Sequence, residues 1–125
     1  MESADPLRVP ADVLIVEDDP IIAIDFEDTT LSLGVKSVRC AGSVATALEL
    51  IAARAPEFAL LDVGLARENS LAVAERLVAL KIPFAFVTGY GADKVPQEFA
   101  DRPRLPKPCS SDALLIVLQR FAPKR

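Results

Sequence analysis

Phe58-Ala-Leu-Leu runs straight into Asp62. Four consecutive apolar residues ending on one carboxylate read as a short strand buried on both faces, as at the centre of a parallel sheet. A carboxylate inside such a strand is costly to ionise. At the last position it reaches the sheet edge, and open α/β sheets bind ligands at the carboxyl ends of their strands. Asp62 therefore stands where a reactive group belongs, and the neighbouring strand ends decide what it can do.

Taken in order, the chain supplies four more strand runs. Val13-Leu-Ile-Val16 ends in Glu17-Asp18-Asp19 and is followed by Pro20. Asp at an N-cap with Pro in the first turn starts a helix, here with Ile22, Phe26 and Leu33 on one face and Gly34 as its stop. Val35 to Ala41 is a weaker strand. Ser43 caps a second helix carrying Val44, Ala47, Leu48 and Ile51, closed off by Pro56. The strand ending in Asp62 comes next, then a loop to about Ser70 and a third helix with Leu71, Ala74, Leu77 and Val78 inward. Pro83-Phe-Ala-Phe-Val87 leads into Thr88-Gly89-Tyr90-Gly91. Residues 92–102 include Pro96 and promise only a short, irregular helix. Arg104-Leu-Pro-Lys107-Pro108 is a short edge strand, where proline is tolerated. Ser110 or Ser111 caps a last helix with Leu114, Leu115, Leu118 and Phe121 on its apolar face.

Five strands alternating with helices specify an α/β fold with a parallel sheet and right-handed crossovers. The flavodoxin-like strand order 2-1-3-4-5, with helices on both faces, puts its switch point between the first and third strands. Those strands end in Glu17-Asp18 and in Asp62. With 125 residues, of which 51% are apolar, the chain is one domain, expected over residues 12–122 behind a flexible leader of residues 1–11.

A net charge of -4 gives no general attraction to nucleic acid or anionic lipid. No apolar run is long enough to span a bilayer, and the polar N-terminus lacks a secretion signal, so a cytoplasmic location is expected. The chain has no histidine, which excludes histidine triads, the usual zinc sites and histidine phosphorylation of this chain. Cys40 and Cys109 are too far apart for a metal motif and read as reduced packing residues.

Three carboxylates from two neighbouring strand ends repel one another and call for a cation among them. Oxygen ligands with open positions suit Mg2+. Thr88 brings a hydroxyl from the fourth strand, and Lys107 a mobile positive charge from the fifth. Aspartate can act as a nucleophile and form an aspartyl phosphate, and phosphoryl transfer needs positioning and charge neutralisation. Asp19 is better read as the helix cap than as a ligand.

Val-Leu-Ile-Val-Glu17-Asp18-Asp19-Pro, Leu-Leu-Asp62, Phe-Val-Thr88-Gly and Leu-Pro-Lys107-Pro108 together resemble the receiver domains of bacterial two-component response regulators, over about Asp12 to Phe121. The resemblance implies that Asp62 accepts a phosphoryl group from a sensor histidine kinase or a histidine phosphotransfer protein. It implies that Asp18 binds Mg2+ directly, Glu17 through water, and that the backbone carbonyl of Gly64 completes the metal site. It makes Thr88 and Lys107 the residues that engage the phosphoryl group. Such a domain is not an enzyme beyond its own Mg2+-dependent phosphorylation and autodephosphorylation.

The chain departs from the family pattern in three places. Arg104 replaces the usual aromatic switch residue, Leu65-Ala-Arg-Glu-Asn69 replaces the usual loop after the phosphoacceptor, and the fourth helix is short. Tyr90 is equally a substitute switch aromatic or a lid. The run Pro83-Phe-Ala-Phe-Val-Thr-Gly-Tyr-Gly resembles the stand-alone receivers marked by a Phe-Ala-Thr-Gly motif. A single-domain regulator would act as a phosphate sink or shuttle or as a protein-binding switch for a downstream target, and receivers often form homodimers. Its main alternative is a pseudo-receiver that binds proteins without phosphorylation. Two further rivals fit less well. A haloacid-dehalogenase-type phosphatase wants a second aspartate where Gly64 stands. A flavodoxin-like electron carrier wants a phosphate cradle where Glu17-Asp18-Asp19 would repel one.

Overall fold

In the computed structural model, which describes residues 8–63, 70–89, 95, 97–99, 101–107 and 109–123, the apolar runs form one parallel sheet. Its strands are β1 (Asp12–Val16), β2 (Ser37–Ala41), β3 (Phe58–Asp62), β4 (Phe84–Thr88) and β5 (Arg104–Pro106). The spatial order is β2-β1-β3-β4-β5, as the sequence leads one to expect. Val16 pairs with Leu61, Asp62 with Val87 and Thr88 with Pro106, so the carboxyl ends of β1, β3, β4 and β5 lie along one edge.

Among the described residues four α-helices cover the sheet: α1 (Pro20–Ser32), α2 (Val44–Ala53), α3 (Leu71–Ala79) and α4 (Ser111–Arg120). Successive strand residues point to opposite faces, so each run feeds two cores. Leu14, Val16, Leu61, Phe84 and Phe86 meet Ile51 of α2 and Leu77 of α3. Val13, Ile15, Phe58, Leu60 and Val87 meet Phe26 of α1 and Leu118 of α4. β3 is buried at every position, which is why its sequence shows no alternation. Burying each such side chain contributes roughly 1.5–3 kcal/mol.

The helix starts follow their caps. Asp19 Oδ1 accepts from the N–H of Ile21 at 2.9 Å and of Ile22 at 3.3 Å, and Pro20 occupies the first turn, where no N–H is needed. Ser43 Oγ accepts from Thr46 N at 3.1 Å. Ser110, rather than Ser111, caps α4 by accepting from Ala113 N at 3.1 Å. α1 stops where Gly34 takes a φ of 108°, a conformation that a side chain would strain.

Local differences from the sequence reading have simple causes. In α3 the buried residues are Val73, Ala74 and Leu77, while Val78 is 42% exposed. Part of the expected leader packs with the domain: Val9 lies in the core beside Phe58, and Ala11 N donates to Glu57 Oε1 at 2.7 Å. Between β4 and β5 the described residues include a 3-10 turn, Gln97–Phe99, within the stretch read as a short, irregular helix. Phe99 is anchored edge-on against Phe84, with ring centroids 5.9 Å apart, and the Arg102 guanidinium lies 4.7 Å from the Phe84 centroid.

At the amino end of the sheet Arg39 ties β2 to β1 and α2. Its guanidinium donates to Asp12 Oδ2 at 2.9 Å, Leu50 O at 2.8 Å and Arg54 O at 2.8 Å. Arg54 Nε also reaches Asp12 Oδ2, at 3.2 Å.

Candidate functional site

The ladder runs one residue past several strands and so fixes where the site residues stand. Glu17 N donates to Ala41 O at 2.9 Å, Val63 N to Val87 O at 3.1 Å, and Lys107 N to Thr88 O at 2.9 Å. Glu17, Asp62, Thr88 and Lys107 are thereby held by sheet hydrogen bonds, and Asp18 is set by the turn into the Asp19 cap.

Glu17, Asp18 and Asp62 each offer a carboxylate oxygen, and these oxygens all lie within 4.8 Å of one another. Glu17 and Asp62 are both 4% exposed, and Asp18 is the more open of the three. Lys107 joins them. Its Nζ is 2.7 Å from Glu17 Oε1 and 3.1 Å from Asp62 Oδ2. Glu17 Oε2 accepts from Asp19 N at 3.1 Å. Both Glu17 oxygens are therefore engaged, one by an ammonium and one by a backbone amide.

The electrostatics follow from this crowding. Burial raises the Glu17 carboxyl above its ordinary value, and the charge of Asp62 adds to the rise; the hydrogen bonds from Lys107 and Asp19 oppose it without cancelling it. Burial works to lower the Lys107 ammonium, but its hydrogen bonds to Glu17 and Asp62 outweigh that and raise it. The lysine is a fixed cation among the acids.

The donor set fits a hard divalent cation. All the donors are oxygens from carboxylates, and opposite oxygens around Mg2+ stand roughly 4 Å apart. The pocket already draws in the charge of Lys107, so it favours cations. A cavity of about 270 Å³ opens beside Glu17 and Asp18, walled by α1 and by Cys40, Ala41 and Gly42.

The structure thus brings Glu17, Asp18, Asp62 and Lys107 together, with Thr88 half-buried on the adjacent strand end. Asp19 is a cap. Arg104 is exposed on β5, opposite Phe86 in register. The expected roles of Gly64 and Tyr90 fall on residues outside the described ones, as does Pro108. The shorter bridge from Lys107 to Glu17 has no signal in the sequence, which places a lysine at the next-but-one strand end and so allows pairing with a carboxylate without choosing between two.

Cys109 is half-buried, and its thiol donates to Ser110 O at 3.3 Å. The Cys40 thiol lies 3.8 Å from Glu27 Oε1, and its partial burial together with that carboxylate pushes its pKa up to about 11. Neither is an activated thiolate.

No curated protein sequence matches the chain. A family model, the response regulator receiver domain, matches residues 13–119. Among solved structures, the solution structure of SdrG from Sphingomonas melonis Fr1 is 40% identical, covering 90% of this chain and 96% of that one, with a TM-score of 0.81. The BeF3-activated conformation of SdrG from Pseudomonas melonis Fr1 is 38% identical, covering 92% of this chain and 98% of that one, with a TM-score of 0.77. The PhyR stress response regulator is 26% identical over 96% of this chain but only 49% of its own length, with a TM-score of 0.78. A match that spans nearly all of the sheet and helices, joined to relatives of this identity with the same backbone, makes the chain a member of the response regulator receiver domain family.

Proposed function

We propose that this receiver is a phosphorylation-controlled switch of two-component signalling in which Asp62 is the phosphoacceptor. The donor is a phosphohistidine on a sensor histidine kinase or a histidine phosphotransfer protein. One observation carries the reading: a lysine ammonium held between Glu17 and Asp62, at the ends of two adjacent strands, with three carboxylate oxygens within 4.8 Å of one another. A structural acid cluster has no need of so much opposed charge at one sheet edge. A 38% identical relative takes a BeF3-activated conformation, and BeF3 on a carboxylate oxygen has the shape and charge of a phosphoryl group.

Glu17, Asp18 and Asp62 would hold Mg2+, with the Gly64 carbonyl as the further ligand inferred from the sequence. When bound, the ion neutralises charge on the phosphoryl oxygens. Asp62 Oδ attacks phosphorus; the P–O bond forms as the P–N bond to the donor imidazole breaks, and its electron pair stays on that nitrogen. Lys107 pairs with the new charge, and the Thr88 hydroxyl donates to it. Contacts present only in the phosphorylated form then shift the β4, β5 and α4 face between two states and alter its affinity for a downstream protein. The chain catalyses nothing beyond its own phosphorylation and dephosphorylation, and it works in the cytoplasm. No described helix is long and apolar enough to cross a membrane.

The test is intact mass after incubation with acetyl phosphate and Mg2+. Wild type is expected to gain one phosphoryl group and Asp62→Asn none. A gain that survives Asp62→Asn would move the acceptor elsewhere. No gain in wild type, even from a histidine kinase donor, would favour a binding module that is not phosphorylated.

A further inference from the structure

Lys107 makes its shorter bridge to the wrong carboxylate for a residue that only waits on the phosphoacceptor. Its Nζ is 2.7 Å from Glu17 Oε1 and 3.1 Å from Asp62 Oδ2. Glu17 Oε2 is already taken by the Asp19 amide. The Lys107 side chain is 18% exposed and that of Glu17 only 3%, so water screens the bridge weakly. The same Glu17 and Asp62 carboxylates belong to the oxygen set that would ligate a divalent cation. Whether a metal meets Glu17 directly or through water, its charge and the ammonium repel each other at this carboxylate, so full contact of one weakens the other.

We infer that Lys107 is an internal competitor for the metal: it weakens Mg2+ binding in the resting protein and lets go of Glu17 when the metal enters. The inference rests on the reading that Glu17, Asp18 and Asp62 hold Mg2+. The released ammonium keeps its contact with Asp62 and turns to the side where phosphoryl oxygens arrive. Metal occupancy and the readiness of Lys107 are thereby coupled through one carboxylate, and by linkage a metal-free protein holds its lysine back.

The experiment is a MgCl2 titration by calorimetry at constant ionic strength, on metal-stripped full-length wild type, Lys107→Met and Asp18→Asn. Lys107→Met keeps a stem of similar length without the charge. It is expected to bind Mg2+ at least tenfold more tightly than wild type, a difference of about 1.4 kcal/mol. Equal or weaker binding would overturn the inference while leaving the metal site intact. If Mg2+ binds neither chain, or binds Asp18→Asn as well as wild type, the metal reading itself fails and the inference with it. A second measurement needs no folded variant: the side-chain ammonium resonance of Lys107 in wild type is expected to shift on saturation with MgCl2. A resonance that does not move overturns the competition directly.

Discussion

The Glu17 carboxylate is 4% exposed and faces Asp62 across the pocket, so burial first and repulsion second hold its pKa above the ordinary 4.5. A raised acid pKa means that the folded state binds the proton more tightly than the unfolded chain does. The stability that this contributes is complete below 4.5 and is lost as pH rises through the folded value. At neutral pH the ionised Glu17 therefore strains the metal-free domain. Glu17→Gln keeps an oxygen for the Asp19 amide and removes the charge. In EDTA at pH 7.5 its Tm is expected to exceed that of wild type by roughly 2–5 °C. The gap should close as the pH falls below 4.5, and a thermal scan of both proteins against pH measures it. A variant less stable than wild type at neutral pH would mean that the Lys107 bridge outweighs the burial of the acid. The three adjacent acids were separable in the sequence because their neighbours differ. Asp19 stands before Pro20 and has to cap, while Glu17 directly follows the buried strand. Which carboxylate the lysine prefers was not legible, since a register of tenths of an ångström is set by packing.

At the scale of elements, strands and caps could be read because each is a local signal. Four apolar residues in a row, Asp before Pro, and Ser before an amphipathic run need no tertiary knowledge. The phase of α3 did need it. Its segment Leu71-Ala-Val-Ala-Glu-Arg-Leu-Val-Ala has apolar residues on more than one face, so stripes containing Val73 or Val78 fit a helical period equally well. Val73 is the one taken into the core that holds Phe84 and Phe86, while Val78 stays 42% exposed. The connection between β4 and β5 also depended on tertiary contact. Phe99 is 5% exposed and packs against Phe84 and Phe86, which anchors the 3-10 turn Gln97–Phe99. Phe99→Ala is expected to lower stability by about 3 kcal/mol. Urea unfolding should show a lower midpoint with an unchanged slope. A loss below about 1 kcal/mol would mean that the segment is held by something other than this ring.

Over the whole molecule, the two ends of the sheet carry opposite arrangements of charge. At the amino end one carboxylate, Asp12, is shared by two guanidinium groups, those of Arg39 and Arg54. At the carboxyl end one ammonium, Lys107, bridges two carboxylates, Glu17 and Asp62, and Asp18 offers an oxygen within 4.8 Å of theirs. The first arrangement is a fastener, and the second gathers the carboxylate oxygens that could hold a cation. Asp12 opens β1 and Glu17 directly follows it, five residues on and about 16 Å away in a strand, and among the described residues they share no side-chain partner. The two ends should therefore contribute to stability independently. Arg39→Met removes the hydrogen bonds to Asp12, Leu50 and Arg54. The cost is expected to be about 2–3 kcal/mol, below the 3–5 kcal/mol typical when a fully buried pair is broken, because the Arg39 side chain is 16% exposed and Arg54 still reaches Asp12. Mg2+ affinity should not change. The double variant Arg39→Met, Glu17→Gln should show the sum of the single effects to within about 0.5 kcal/mol. Urea unfolding of the four proteins closes the cycle. A coupling above 1 kcal/mol would show that strain at the clamp reaches the acid cluster through β1 and β2, and that the sheet transmits it as one rigid body.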